Sequence, residues 1–271
     1  MVGRLRVVQV VIDNYDNYIL RRAAPKRYNT PLVPHHSTIF RAEKNIMLRK
    51  LSILLAVSGF LVSNNWAAEP VVKRENIEWA QIWIPDNSRN DLPRVLLIGD
   101  SICNAYYDGV AQSLKGKALV VKMATSFSLA DPVLLNQVKS FLTTYKFAVI
   151  HFNNGLHGFD YTEGEYQKQF SELLKIIKQS APDAKLIWAT STPARNAKNL
   201  QQLAPINDRV KARNKIVVNL AAKEGITVND LYSLVENHPE YWGGDGLHFK
   251  PEGVAVEGKQ VAKCVLNALA K

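Results

Sequence analysis

Short apolar runs and amphipathic stretches alternate along most of this chain. Residues 94–98 (Arg94-Val95-Leu96-Leu97-Ile98) form a nearly unbroken apolar run that stops at Gly99. Similar runs occupy 118–122, 147–152 and 185–189, with a shorter one at 226–228. Runs of this length without polar alternation predict strands buried on both faces. Between them, 163–179 places Tyr166, Phe170, Leu173, Leu174 and Ile177 at three- and four-residue steps, one apolar face of a helix. Residues 207–224 repeat the pattern with Val210, Ile216, Val217 and Leu220 before a stop at Gly225. Residues 251–269 open on Pro251, which suits a first helical turn, and predict the last helix. Strands alternating with helices imply an α/β fold of three α/β/α layers around a parallel sheet, with ligands received beyond the carboxyl ends of the strands. The main domain is placed at 94–271, and 69–93 is a mixed lead-in segment wrapped on it.

The front of the chain follows a different pattern. Met47-Leu48-Arg49-Lys50 precedes an apolar run over 51–62, and Asn64-Asn65-Trp66-Ala67-Ala68 gives a polar, small-residue exit. A charged start, a short apolar stretch and small residues before a cleavage point make 47–68 read as a secretory signal peptide. The apolar run is about 12 residues, short of the roughly 20 a membrane-spanning helix needs; an uncleaved anchor and a core helix are the competing readings. Residues 1–46 lack sustained periodicity, and the expectation is that Met47 is the true start and 1–46 a non-native extension. Export to the periplasm or outside the cell follows from the signal, with membrane contact only through that segment.

Composition changes this picture little. Hydrophobic residues make up 47% and charged residues 21% of 271, a globular balance. The net charge of +10 suggests nucleic acid until its distribution is read: residues 1–68 carry +7, leaving only +3 for the rest. Two cysteines, Cys103 and Cys264, are too few for a disulfide framework and are read as free thiols. No P-loop, Gly-x-Gly-x-x-Gly or zinc-ligand spacing occurs, so neither a cofactor nor a metal is expected.

Two short segments carry candidate chemistry. Gly99-Asp100-Ser101-Ile102 follows the first strand directly, where a serine hydroxyl is exposed beside helix N–H groups; a plain helix cap fits the same residues. Gly244-Asp245-Gly246-Leu247-His248 precedes the last helix. Asp245 and His248, three apart, can form a carboxylate-oriented base of the kind a weak serine nucleophile requires, or merely a turn.

Together these segments resemble the first and last blocks of the SGNH (GDSL-type) hydrolases, over about 94–269. The resemblance implies a flavodoxin-like five-stranded parallel sheet and a triad of Ser101 as nucleophile, His248 as base and Asp245 as its orienting acid. The absence of Gly-x-Ser-x-Gly around Ser101 separates it from the α/β-hydrolase elbow. It also implies an oxyanion hole built from the Ser101 N–H, a backbone N–H after the second strand and an Asn side chain after the third. This chain has no glycine in the second position, so Ala130 or Leu129 must serve. After the third strand it reads Asn153-Asn154-Gly155-Leu156-His157, a variant block, with Asn153 the first choice of donor and Asn154 the second. His157 lines the pocket or holds the loop. Arg195 grips an acidic or sugar-hydroxyl group or is a solvated loop charge, and Trp242, with Tyr106, Tyr107 and Tyr241, stacks on sugar rings or packs in the core.

The expected function is that of an exported serine esterase acting on short acyl groups, O-acetyl above all, of a carbohydrate. A lipid or lysophospholipid esterase, and a binding module without turnover on the same fold, are the alternatives. The expected partner is a small-molecule or polysaccharide ester, with no nucleic acid.

Overall fold

The structure, a computed structural model, describes Val72 and residues 74–270. The expected extension at 1–46 and signal segment at 47–68 lie outside the described residues. Among the described residues, eight strands and six α-helices follow in the order β1 (Ala80–Trp83), β2 (Arg94–Gly99), α1 (Ser101–Ser113), β3 (Leu119–Thr125), α2 (Pro132–Thr144), β4 (Val149–Phe152), α3 (Glu163–Ser180), β5 (Lys185–Ala189), β6 (Arg195–Asn196), β7 (Asn199–Leu203), α4 (Asn207–Glu224), β8 (Thr227–Asn229), α5 (Leu231–Val235) and α6 (Pro251–Leu269). A 3₁₀ turn, Pro239–Tyr241, lies between α5 and α6.

Five strands are parallel in the order β3-β2-β4-β5-β8, the flavodoxin-like arrangement expected. Successive side chains of β2 leave opposite faces. Val95 and Leu97 meet α1 and α6 through Val110, Val261 and Val265. Leu96 and Ile98 meet α2 and α3 through Leu134, Val138, Phe170 and Leu173. Both faces are therefore covered, which is why these strands read as continuous apolar runs rather than as alternation.

Helices α2 and α5 were absent from the sequence reading, and so were two strand features. The lead-in segment contributes β1, which pairs antiparallel with β3, Ala80 opposite Thr125. The loop after β5 folds into a β6–β7 hairpin. Helix starts are capped as their sequences require: Asp100 Oδ1 accepts from the Ile102 N–H at 2.9 Å, Asp131 Oδ1 from the Val133 N–H at 2.8 Å, and Thr162 forms a reciprocal capping box with Glu165. Cys103 and Cys264 are free thiols, the first buried.

Candidate active site

Ser101 opens α1 directly after β2, so its side chain stands at the carboxyl edge of the sheet. The loop before α6 brings His248 to it from 147 residues away, with Ser101 Oγ 2.8 Å from His248 Nε2. His248 Nδ1 lies 2.6 Å from Asp245 Oδ2. Asp245 Oδ1 accepts from the backbone N–H groups of Leu247 and His248, each at 2.9 Å. Partial burial pushes the Asp245 carboxyl up, but the bonds from the His248 ring and from these two N–H groups outweigh it and hold the pKa at about 2. An ionised Asp245 selects the tautomer with the proton on Nδ1, leaving Nε2 free to accept from the Ser101 hydroxyl. The three residues picked out in the sequence are thus one hydrogen-bonded line.

Arg195 and Trp242, expected at the substrate, lie beneath this loop instead. Trp242 is fully buried, packed 4.5 Å from the Phe249 ring, with the Arg195 guanidinium 4.6 Å over its face. Arg195 is buried and donates to the Leu200 carbonyl at 2.8 Å and to the Glu236 carbonyl. Its backbone N–H donates to Gly246 O at 2.8 Å. The guanidinium covers one face of the indole and both side chains are buried, so neither has a face for a sugar ring. The sequence made them attractive because they flank the Asp-x-x-His segment; they support its backbone.

The oxyanion candidates separate by direction. Asn153 extends the β4 ladder, its N–H on Ile98 O at 3.0 Å, and its side-chain amide donates to Ala189 O at the end of β5 at 3.1 Å. Asn154 turns the other way, donating from Nδ2 to Phe127 O, in the loop after β3, at 3.1 Å. Since β2 lies between β3 and β4, the Asn154 amide crosses the end of β2, where Ser101 sits. Asn153, the first choice, thus turns toward β5, while Asn154, the second, spans from the loop after β4 to the loop after β3. Burial raises the pKa of the Tyr161 phenol, and the nearby Arg213 charge works against it. The Ser101 N–H donates to no described residue.

The lead-in segment straps this rim. Arg74 makes a two-point contact with the buried Asp131, at 2.7 and 3.2 Å. The Ser126 hydroxyl donates to Glu78 Oε2 at 2.6 Å and accepts from the Trp79 N–H at 2.8 Å. Glu75 Oε1 lies 2.7 Å from His157 Nδ1. His157 therefore holds the strap against the loop after β4, and it is near enough to the buried Asp100 to lower that carboxyl's pKa against the burial that raises it.

Behind α1 a second carboxyl, Glu257 on α6, is fully buried, and neither oxygen has a hydrogen-bond partner among the described residues. Burial, then the neighbouring Asp100 charge, raises its pKa well above the carboxylate range. Sequence reasoning passed over Glu257, and also Arg213, which is buried on α4 in line with Val210 and Val217. The signal was available: both polar residues fall on the apolar stripe of a helix. No cluster of metal-ligating side chains occurs among the described residues.

A model of the GDSL-like Lipase/Acylhydrolase family matches residues 97–256. Comparison with curated protein sequences finds no match. Among solved structures, an aryl esterase from M. smegmatis is similar with a TM-score of 0.55 and 17% identity, over 65% of this chain and 99% of that one. A GDSL-like lipase from Bacteroides thetaiotaomicron gives 0.53 and 17%, over 65% and 88%. A carbohydrate esterase family 3 protein from Talaromyces cellulolyticus gives 0.54 and 12%, over 65% and 97%. At such identities the structural likeness speaks for the fold, while the family match spans more than half of the chain and contains Ser101, Asp245 and His248. This chain belongs to the GDSL-like lipase/acylhydrolase family and is a serine ester hydrolase.

Proposed function

We propose that the chain is an exported esterase that removes short acyl groups, O-acetyl in particular, from a carbohydrate, with Ser101, His248 and Asp245 as its triad. The observation that carries the triad is the 2.8 Å approach of Ser101 Oγ to His248 Nε2, on a ring whose other nitrogen is held by Asp245. His248 takes the hydroxyl proton as Ser101 attacks the ester carbonyl, then returns it to the departing sugar oxygen. The Ser101 N–H and the Asn154 amide receive the developing oxyanion, and water releases the acid from the serine ester by the same route in reverse. Removal of one such donor costs about 10²–10³ in kcat in comparable sites.

The carbohydrate and acetyl choices draw support from the similar carbohydrate esterase family 3 structure. Export draws support from the charged start, apolar run and small-residue exit at 47–68. The test is hydrolysis of para-nitrophenyl acetate against longer-chain esters and of acetylated glycans, with wild type and Ser101→Ala side by side. Acetate release that vanishes in the variant is the expected result. Turnover confined to long-chain or phospholipid esters overturns the substrate class, and activity retained by Ser101→Ala overturns the triad.

A further inference from the structure

The loop after β4, residues 153–158, contains both asparagines and has little regular structure of its own. Arg213 reaches it from α4. The side chain has no exposed surface, yet it carries a charge. Nη1 donates to Gly155 O at 3.0 Å and to His157 O at 2.7 Å, and Nη2 donates to Gly158 O at 2.6 Å. Three aromatic rings enclose the guanidinium: Phe159 at 4.3 Å, Tyr166 at 4.9 Å and Tyr161 at 5.2 Å. Among the described residues one carboxylate pairs with it: Glu163, which stands 3.6 Å from Nε and is shared with Arg209 at 2.7 Å. Burying a guanidinium costs several kcal/mol unless it is well paired. Here the pairing is supplied chiefly by carbonyl groups of the loop, in a planar fork that a lysine ammonium does not reproduce.

The same bracket fixes Asn154. The Tyr166 hydroxyl, beside the guanidinium, donates to Asn154 O at 2.5 Å. The backbone from the Asn154 carbonyl onward is thereby held, while the Asn153 N–H on Ile98 O fixes the preceding residue and the Asn154 amide crosses the end of β2. Gly155 packs so close to Ser191 that a side chain there would meet the Ser191 Cβ at 3.0 Å, so the loop has little room to rearrange.

We propose that Arg213 is a positioning residue for acyl transfer: by gathering the carbonyls of Gly155, His157 and Gly158 it holds the Asn154 amide where the oxyanion forms. The proposal rests on the reading of Asn154 as an oxyanion donor. Arg213 touches neither substrate nor the reacting serine.

The test is a double-mutant cycle on para-nitrophenyl acetate hydrolysis with Arg213→Lys, Asn154→Ala and the pair, with melting temperatures measured alongside. Arg213→Lys is expected to lower kcat roughly 30-fold with KM within about threefold, since misplacement on the order of 1 Å costs about 10²-fold. Asn154→Ala is expected to lose about 10²–10³. The pair should be no worse than about twofold below Asn154→Ala alone, because the arginine acts through that amide. Losses that multiply overturn the proposal, as they make Arg213 an independent structural support. A near-normal kcat in Asn154→Ala overturns the donor reading with it, whereas the Ser101→Ala control reports on the triad separately. Should Arg213→Lys fail to fold, Tyr166→Phe, which removes only the hydroxyl on Asn154 O, enters the same cycle, and multiplicative losses there overturn the proposal equally.

Discussion

Replacing Gly246 by alanine tests whether the seam between the β6 strand and the Asp-x-x-His loop holds the triad together. Gly246 lies between Asp245 and His248 with φ +74°, in the left-handed region that costs other residues about 1–2 kcal/mol. A Cβ there would collide with the Arg195 carbonyl oxygen and stand 2.9 Å from its carbonyl carbon and 3.3 Å from Ala197 N. All three are backbone atoms with no rotamer to yield, so the loop must lift. The Arg195 N–H to Gly246 O bond, 2.8 Å, is then lost, at about 1 kcal/mol. The sum is about 2–3 kcal/mol of stability, or roughly 4–12 °C in melting temperature for a domain of this size. His248 rides on the lifted loop, and a displacement on the order of 1 Å from Ser101 costs about 10²-fold in kcat. Gly116→Ala is the control: φ is +74° there too, but nothing lies within 4 Å of the added Cβ. It should lose about 1–2 kcal/mol by strain alone and keep its kcat. Para-nitrophenyl acetate kinetics and thermal melts of both variants decide the matter. Equal effects on kcat in the two variants would refute the claim that the contact with Arg195 aligns the triad.

Glu257→Gln should raise the melting temperature by a few degrees at pH 8 and leave it unchanged near pH 4. A carboxyl whose folded pKa is raised contributes stability below its unfolded pKa and loses it as pH rises toward the folded value, and an amide removes that loss. Melts across the pH range check this, and a gap that widens toward acid would contradict it. Arg74→Ala should lower kcat, by on the order of tenfold, with little change in KM, since it leaves the buried Asp131 carboxylate without its partner and frees the turn before α2. Steady-state kinetics at matched folded fractions check it; a change in KM alone would place the strap on the substrate side.

The parallel strands and the triad were legible because each obeys a local rule. Burial on both faces forces strands such as 94–98 into unbroken apolar runs. Ser101 and the Asp245–His248 pair sit at strand and helix ends in glycine-rich turns, a context the sequence displays openly. β1 was not legible, since all four of its residues are exposed on an edge strand and no face imposes a pattern. Arg195 and Trp242 misled for the opposite reason. Their types suit recognition of a substrate, but only three-dimensional packing reveals that each has already been used by the other. Between Asn153 and Asn154 nothing local decides; the pleat sends neighbouring side chains in opposite directions, and only the folded chain shows Asn153 turned to the end of β5 and Asn154 to the loop after β3.

The strap has a consequence for the order of assembly. β1 pairs with β3 alone, and Ala80 meets Thr125 across 44 residues of intervening chain. Among the described strands β1 comes first along the chain, yet it leans on a single neighbour that follows β2 and α1. All four β1 residues stay exposed when paired, so its closure cost is recovered chiefly through hydrogen bonds to a β3 already in place. Arg74, Glu75 and Glu78 therefore reach Asp131, His157 and Ser126 late, after the five parallel strands have begun to associate. Chains caught at that stage hold a folded sheet with an unfinished rim, and esterase activity should lag behind the recovery of secondary structure during refolding.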